Sequence, residues 1–386
     1  MFKIAIITTH PIQYNAPLFK LLNERKKVSS KIFYTWGQSK SKLFDPGFGN
    51  EREWDIPLLE GYDYEFVENI SRKHGSHHFK GIDNPSLIEK IKEYSPDAIL
   101  IYGWNFKSHL KILTYFKNKK PIWFRGDSTL LDEPKGFSLK KIIRRQFLKW
   151  VYSHIDQALY VGKQNKEYFL KHGVKESQLK YAPHTVDINR FMDDELKKEE
   201  QAIIWRNEIG ISDEMTVFLY AGKFYGLKQI DVLIHAFKKL PNSKCRLLLV
   251  GNGEQEQSLK EMSLSDSRII FQSFKNQSEM PWVYKAGNVF VLPSSSETWG
   301  LSINEAMASS RPVIATDKCA GSYDLITNET GWIVESGNIE ELSHIMNYCC
   351  ENPEKIKKMG VVAKENILKY NNDIVADTIE KLAKSI

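Results

Sequence analysis

The chain has 386 residues, of which 42% are hydrophobic and 26% charged. That is longer than one hydrophobic core usually spans, since cores stop growing near ~250–300 residues, so two domains are expected. Aromatic residues at 12% exclude a mainly disordered chain, and the composition is not that of a fibre. The net charge of +6 is unevenly spread, with +12 over residues 1–190 and −6 over residues 191–386. A basic half of this kind suits nucleic acid, an anionic membrane surface or a phosphorylated substrate.

The opening apolar run, Lys3 to Thr8, is too short for a signal-peptide core, and no segment approaches the ~18 apolar residues of a spanning helix. A cytoplasmic protein is expected. The four cysteines, Cys245, Cys319, Cys349 and Cys350, lack metal-site spacing and read as reduced thiols. Short apolar runs alternate with amphipathic stretches along the whole chain. In the first half, strands are expected at Lys3 to Thr8, Ser30 to Thr35, Asp97 to Tyr102, Pro121 to Phe124 and Asp156 to Val161. Helices are expected at Ala16 to Arg25, Pro85 to Tyr94, Asn105 to Phe116, Ser138 to Tyr152 and Gln164 to His172. Residues Gly37 to Tyr64, rich in Gly, Pro and aromatics, read as a lid or acceptor loop or as a plain surface insertion.

The rhythm pauses in the charged stretch Asp193 to Glu200. It resumes with strands near Thr216 to Ala221, Cys245 to Val250, Arg268 to Phe271, Val289 to Leu292, Pro312 to Ala315 and Trp332 to Val334. This pattern predicts an α/β protein of two doubly wound, Rossmann-like domains facing across a cleft, with parallel sheets covered by helices. The domains are placed at residues 1–190 and 200–368, with a linker at 191–199 and a last helix at 369–386 crossing back to the first. In such sheets ligands bind beyond the carboxyl ends of the strands, so the chemistry is sought there.

Strand Thr216 to Ala221 runs into Gly222-Lys223-Phe-Tyr-Gly-Leu-Lys228, which suits a diphosphate held by two ammoniums and a helix start, although loop lysines are usually solvated. Strand Cys245 to Val250 ends in Gly251-Asn-Gly253, which is either a tight turn or a close approach for a base; it lacks the third glycine of a dinucleotide site. Strand Val289 to Leu292 is followed by Glu297-Thr-Trp299-Gly300-Leu301 and then Glu305. There Gly300 and Leu301 amides can donate to phosphate, and the two carboxylates can accept from sugar hydroxyls. A helix cap for Glu297 and an exposed helical acid for Glu305 are the plainer alternatives. Glu60 and Glu68 share the same spacing without that context, so the spacing alone proves little.

These landmarks, with His184-Thr-Val-Asp187-Ile-Asn-Arg-Phe191 before them and Pro312-Val-Ile-Ala and Thr330-Gly-Trp-Ile-Val334 after them, resemble the retaining glycosyltransferases of family 4, of GT-B fold. The resemblance is dense in the second half and sparse in the first. It implies that Lys223 and Lys228 hold the diphosphate of a nucleotide-sugar donor, and that Glu305 meets the ribose. It places Glu297 beside the transferred sugar, Gly300 and Leu301 amides on the diphosphate with Trp299 between the motif residues, and the base near Gly251 and Phe274. Gly222 opens this donor-binding set. Lys223 stands where the family usually has Arg, and Gln229 replaces a usual glycine.

The first half departs from the family: Thr9 to Pro17 replaces a glycine-rich turn, Arg125-Gly-Asp127 stands where a histidine commonly follows the strand, and His184-Thr replaces Asn-Gly. His10, Arg125 and Asp127 end strands, and together with Glu297 they form the catalytic candidates. No Asp-x-Asp motif is present, so no cofactor or metal is expected, with lysines in place of a cation. The implied reaction retains anomeric configuration. It uses a hexosyl donor, UDP-sugar first, and a saccharide or polyprenyl-diphosphate-linked acceptor, as in bacterial surface polysaccharide or lipopolysaccharide synthesis. A sugar-nucleotide 2-epimerase and a catalytically silent subunit of a transferase complex are the alternatives. The segment Ser138 to Tyr152 carries Leu139, Ile142, Ile143, Phe147, Trp150 and Val151 on one face, with Lys140, Lys141, Arg144, Arg145 and Lys149 on another. It is read either as a sheet-covering helix or as peripheral contact with anionic membrane at the inner face of the plasma membrane. Nucleic acid is not an expected partner, since no such motif accompanies the charge.

Overall fold

The computed structural model describes residues 1–37, 43–45, 50–52, 54–133, 136, 138–241 and 243–386. The chain forms two units, Met1–Ser41 with Pro57–His184 and Asn372–Ile386, and Lys42–Ile56 with Thr185–Asn371. In chain order the elements up to His184 are β1 (Phe2–Thr8), α1 (Ala16–Arg25), β2 (Val28–Tyr34), β3 (Leu43–Asp45), β4 (Asn50–Arg52), β5 (Asp63–Phe66), α2 (Leu87–Tyr94), β6 (Ala98–Tyr102), α3 (Lys107–Phe116), β7 (Ile122–Arg125), α4 (Leu139–Tyr152), β8 (Gln157–Tyr160), α5 (Lys163–Lys171) and β9 (Leu179–Tyr181). Seven of these strands make one parallel sheet of order β5-β2-β1-β6-β7-β8-β9.

Alternation along β1 explains how the sheet is covered on both faces. Ile4 and Ile6 point into a core shared with Leu18, Phe19 and Leu22 of α1. Ala5 and Ile7 point into the opposite core with Ile91, Ile112, Leu113 and Phe169. The final helix supplies Val375, Ala376 and Ile379 to the α1 side. It is clamped there by Arg25, which reaches Asp377 at 2.6 Å, Asp373 at 2.5 Å and Glu380 at 3.2 Å. By contrast, α4 buries only Leu148, Val151 and Tyr152, so of the apolar face expected to cover the sheet Val151 alone is buried.

The second unit contains α6 (Ile188–Met192), α7 (Glu195–Glu208), β10 (Thr216–Ala221), α8 (Ile230–Lys238), β11 (Cys245–Val250), α9 (Glu256–Ser263), β12 (Ile269–Gln272), α10 (Met280–Ala286), β13 (Val289–Leu292), α11 (Leu301–Ala308), β14 (Val313–Thr316), α12 (Ser322–Leu325), β15 (Gly331–Val334), α13 (Ile339–Glu351) and α14 (Pro353–Ile367); α15 (Asn372–Lys384) returns to the first unit. Its sheet is parallel with order β12-β11-β10-β13-β14-β15. The continuous apolar run Val289–Leu292 is buried throughout, as expected of a strand covered on both faces.

Two expectations are corrected. The charged stretch expected as a linker at 191–199 belongs to α6 and α7, and the border between units falls between His184 and Thr185. Its charges are used locally: Glu195 pairs with Lys285 and Lys364, and Glu199 with Arg311 at 3.4 Å. Residues 38–42, 46–49 and 53 of the proposed lid lie outside the described residues. The rest of that segment pairs β3 with β4 antiparallel, and Asp55 accepts from the Ser278 amide at 3.1 Å. The four cysteines are unbridged and buried.

Candidate active site

The order of the second sheet reverses between β10 and β13, and the loops that leave those two strands carry Lys223 and Lys228 on one side and Glu297 to Leu301 on the other. This is the switch point at which doubly wound sheets bind ligands. Main-chain bonds draw the loops together: the Ser295 amide donates to Leu227 O at 2.8 Å, and Glu297 bridges to the 318–320 turn through Glu297 N to Lys318 O at 3.0 Å and Ala320 N to Glu297 O at 3.1 Å. Lys228, on a short 3-10 turn, is thereby set directly against the carboxylate of Glu297. Burial, followed by the like charge of Lys223, lowers the Lys228 ammonium to about 8. The adjoining carboxylate is the countercharge that favours its protonated form.

Gln229 follows with φ 47°, in the left-handed region. A glycine would be unstrained there, which gives a physical reason for the family's usual residue. Here the Gln229 side chain accepts from Ser336 Oγ at 2.9 Å instead. Gly300 has φ 89° and caps α11, a left-handed conformation that strains any residue with a Cβ, and a Cβ would also lie 2.9 Å from Leu292 Cδ2. Gly251 and Gly253 serve another purpose. A Cβ on Gly251 would stand 1.9 Å from Gly222 O, and one on Gly253 would stand 2.3 Å from Phe224 O. The β10 and β11 loops therefore pack main chain on main chain, with Phe224 N donating to Asn252 O at 2.9 Å. Asn252 also accepts from the Phe274 amide at 3.0 Å, fixing Phe274 beside this turn.

Glu305 is not an exposed helical acid. It is 4% exposed, accepts from Tyr284 Oη at 2.7 Å and faces Arg190 Nη2 at 3.8 Å. Tyr284 and Arg190 are the neighbours that motif reading missed. Arg190 lies inside the Asp187 to Phe191 landmark and could have been found there, whereas Tyr284 of α10 leaves no signal in the sequence. Trp299 departs from expectation: it is 2% exposed and donates to Asn304 Oδ1 at 2.8 Å, so its ring is a packing element under the loop and not a ligand-facing wall.

In the first unit, Arg125 at the end of β7 is 5% exposed, and its guanidinium donates to Ala182 O at 2.7 Å and Pro183 O at 2.9 Å. Expected as a catalytic candidate, Arg125 is engaged by the main chain that leads to His184. That segment brings His184 Nε2 to 3.6 Å from the Asp127 carboxylate. Burial lowers the His184 imidazole, and Asp127 opposes the shift. His10, just beyond β1, has Nδ1 2.9 Å from Thr9 Oγ1 and its ring 4.9 Å from Trp36. A cavity of about 360 Å³ lies nearby, lined by Trp104, Asn105, Asp127, Ser128, Arg144 and Tyr152 among others.

Among the described residues no group of three or more His, Cys, Asp or Glu is placed to hold a metal, and no helix is long and apolar enough to cross a membrane. Residues 201–366 match the family model of glycosyl transferases group 1. The chain is 28% identical over 162 residues to the sulfoquinovosyl transferase SQD2 of Arabidopsis thaliana, covering 41% of this chain and 31% of that one. It is 21% identical over 259 residues to the N,N'-diacetylbacillosaminyl-diphospho-undecaprenol alpha-1,3-N-acetylgalactosaminyltransferase of Campylobacter jejuni, covering 66% of this chain and 67% of that one. The chain thus spans about a third of the first relative's length and two thirds of the second's. Among solved structures, HepE of Anabaena in complex with UDP and glucose superposes with a TM-score of 0.73 at 18% identity, covering 100% of both chains. The expected GT-B fold of two Rossmann-like units is borne out, and the match to glycosyl transferases group 1 lies within the second unit.

Proposed function

We propose that this chain is a group 1 glycosyltransferase that transfers a hexosyl residue from a nucleoside-diphosphate sugar, UDP-sugar first, to a lipid-linked saccharide acceptor with retention of anomeric configuration. The observation that carries the proposal is the Lys228–Glu297 pair at the switch point, beside the Gly300 entrance to α11. A partly buried ammonium there needs a countercharge. When a donor binds, its diphosphate supplies that charge, and Glu297 is released to accept from the hydroxyls of the transferred sugar. Glu305, held by Tyr284, is the acceptor for ribose hydroxyls. The bond between the anomeric carbon and diphosphate oxygen then breaks with its electron pair passing to the diphosphate, where Lys223 and Lys228 offset the charge. The acceptor hydroxyl oxygen bonds to the same face of that carbon, and its proton passes to the departing diphosphate.

Retention and metal independence are supported by the family resemblance and by the lysine pair. The uridine donor is supported by the UDP complex of HepE, and the lipid-linked acceptor by the undecaprenol-linked substrate in the name of the Campylobacter relative. The reaction belongs on the cytoplasmic face of the membrane. The test incubates the chain with UDP-, GDP- and ADP-sugars, with and without a polyprenyl-diphosphate saccharide, and follows nucleoside diphosphate release. Acceptor-dependent release, lost in Glu297→Ala, is expected. No turnover of any donor, or full turnover by Glu297→Ala, overturns the reading.

A further inference from the structure

Helix α4 is turned so that its large apolar residues face outward. Leu148, Val151 and Tyr152 hold it to the sheet, while Leu139 and Ile143 are 69% exposed, Trp150 46%, Ile142 41% and Phe147 39%. At about 100° per residue these five occupy an arc of roughly 140° centred near Leu139, and Leu148 lies opposite it. Exposed Lys140 and Arg144 flank one edge of the arc, and exposed Lys149 flanks the other. Lys141 and Arg145, nearer the buried side, are tied to Glu133 at 3.6 Å and 3.0 Å. The helix contains no acidic residue.

An outward apolar stripe between basic flanks is the pattern of a helix lying in a membrane surface, where apolar side chains enter the acyl boundary and cations meet anionic headgroups. A second copy fits poorly, because it would bring the three exposed cations beside the arc against three like charges. We infer that α4 seats this protein on an anionic bilayer, with Leu139, Ile143, Phe147 and Trp150 inserted and Lys140, Arg144 and Lys149 at headgroup level. The stripe also continues into the first unit's cavity. The Phe147 ring contacts Trp150 at 5.6 Å and Trp104 at 5.4 Å, and Trp104, Arg144 and Tyr152 all line that cavity. The helix that meets the lipid is therefore a wall of the pocket beside Asp127. The inference rests on the proposed lipid-linked acceptor only for its biological purpose; the surface itself is given by α4.

The test is flotation of the full chain with phosphatidylcholine vesicles containing or lacking about a third phosphatidylglycerol. Binding to the anionic vesicles is expected, with the partition coefficient falling about tenfold or more in Ile143→Ser/Trp150→Ser. Lys140→Glu/Lys149→Glu should abolish it. All four side chains are exposed, so melting temperatures and nucleotide-induced stabilisation should match wild type. No binding to anionic vesicles, wild-type binding by the Ser variant, or a dimer in sedimentation that the Ser variant dissociates would each overturn the inference. Vesicle binding without any turnover of sugar nucleotides would overturn the proposed reaction and leave the membrane seat standing.

Discussion

Lys228 offers the sharpest test of the proposed donor site, because the proposed diphosphate requires its charge while burial disfavours it. Burial lowers its ammonium to about 8, whereas a bound diphosphate favours the charged form. Affinity for a nucleoside diphosphate should therefore be nearly full about one pH unit below that value and fall as pH rises through it, since binding must then include uptake of a proton. With the free-state value near 8, the protonated fraction falls about tenfold between pH 7 and pH 9, and the dissociation constant should rise by about the same factor. Lys228→Arg keeps its charge across this range and should give a nearly flat profile, even if bidentate geometry changes the absolute affinity. Glu297→Gln removes the countercharge and should move the inflection to lower pH. Isothermal titration with whichever of UDP, GDP or ADP stabilises the chain reads all three. A flat wild-type profile, or an Arg variant with the wild-type inflection, would refute the reasoning.

Gly251→Ala should destabilise the chain by ~3 kcal/mol or more in urea denaturation, because its Cβ would meet Gly222 O at 1.9 Å. Gly210→Ala, at φ 75° with nothing within 4 Å, should cost only ~1–2 kcal/mol from backbone strain. Arg125→Lys keeps the charge but cannot span both carbonyls and should lose ~1–3 kcal/mol of stability, with nucleotide affinity unchanged by calorimetry. Tyr284→Phe removes the phenolic donor to buried Glu305 and should cost ~1–2 kcal/mol. Equal stability of that variant and wild type would show that Tyr284 does not hold the carboxylate.

Most strands were legible because parallel strands covered on both faces are written as unbroken apolar runs: Thr216–Ala221, Cys245–Val250 and Val289–Leu292 have the limits the sequence predicts. Asp63–Phe66 and Leu179–Tyr181 escaped, the first being a partly exposed edge strand and the second only three residues long. Composition misled at Asp193 to Glu200, where a dense charge run resembles a solvated linker. Its partners, Lys285, Arg311 and Lys364, lie far along the chain, and no local pattern announces them. The loops proposed to hold the donor show the same limit at finer scale. Spacing placed Glu297, Trp299 and Gly300 on one turn, but not that Glu297 meets Lys228 while Trp299 points inward to Asn304.

For α4 the ambiguity was one of rotation. Its apolar arc is as wide as that of many sheet-covering helices, and periodicity measures the width of an arc without saying what it faces. The decisive information is where Leu148, Val151 and Tyr152 go. These three pack with Phe124, Ile155 and Phe169, which fills the space against the sheet and leaves the opposite arc outside. The distribution of charge follows from that choice. Lys141 and Arg145, near the packed side, share Glu133 as a partner, while Lys140, Arg144 and Lys149 border the apolar residues and remain exposed. A helix meant only to cover the sheet would gain nothing from five large apolar side chains in water, and each is an aggregation liability unless something covers it. Three exposed cations of the basic first half thus lie where an anionic surface would also bury the exposed apolar stripe, so one partner accounts for both features.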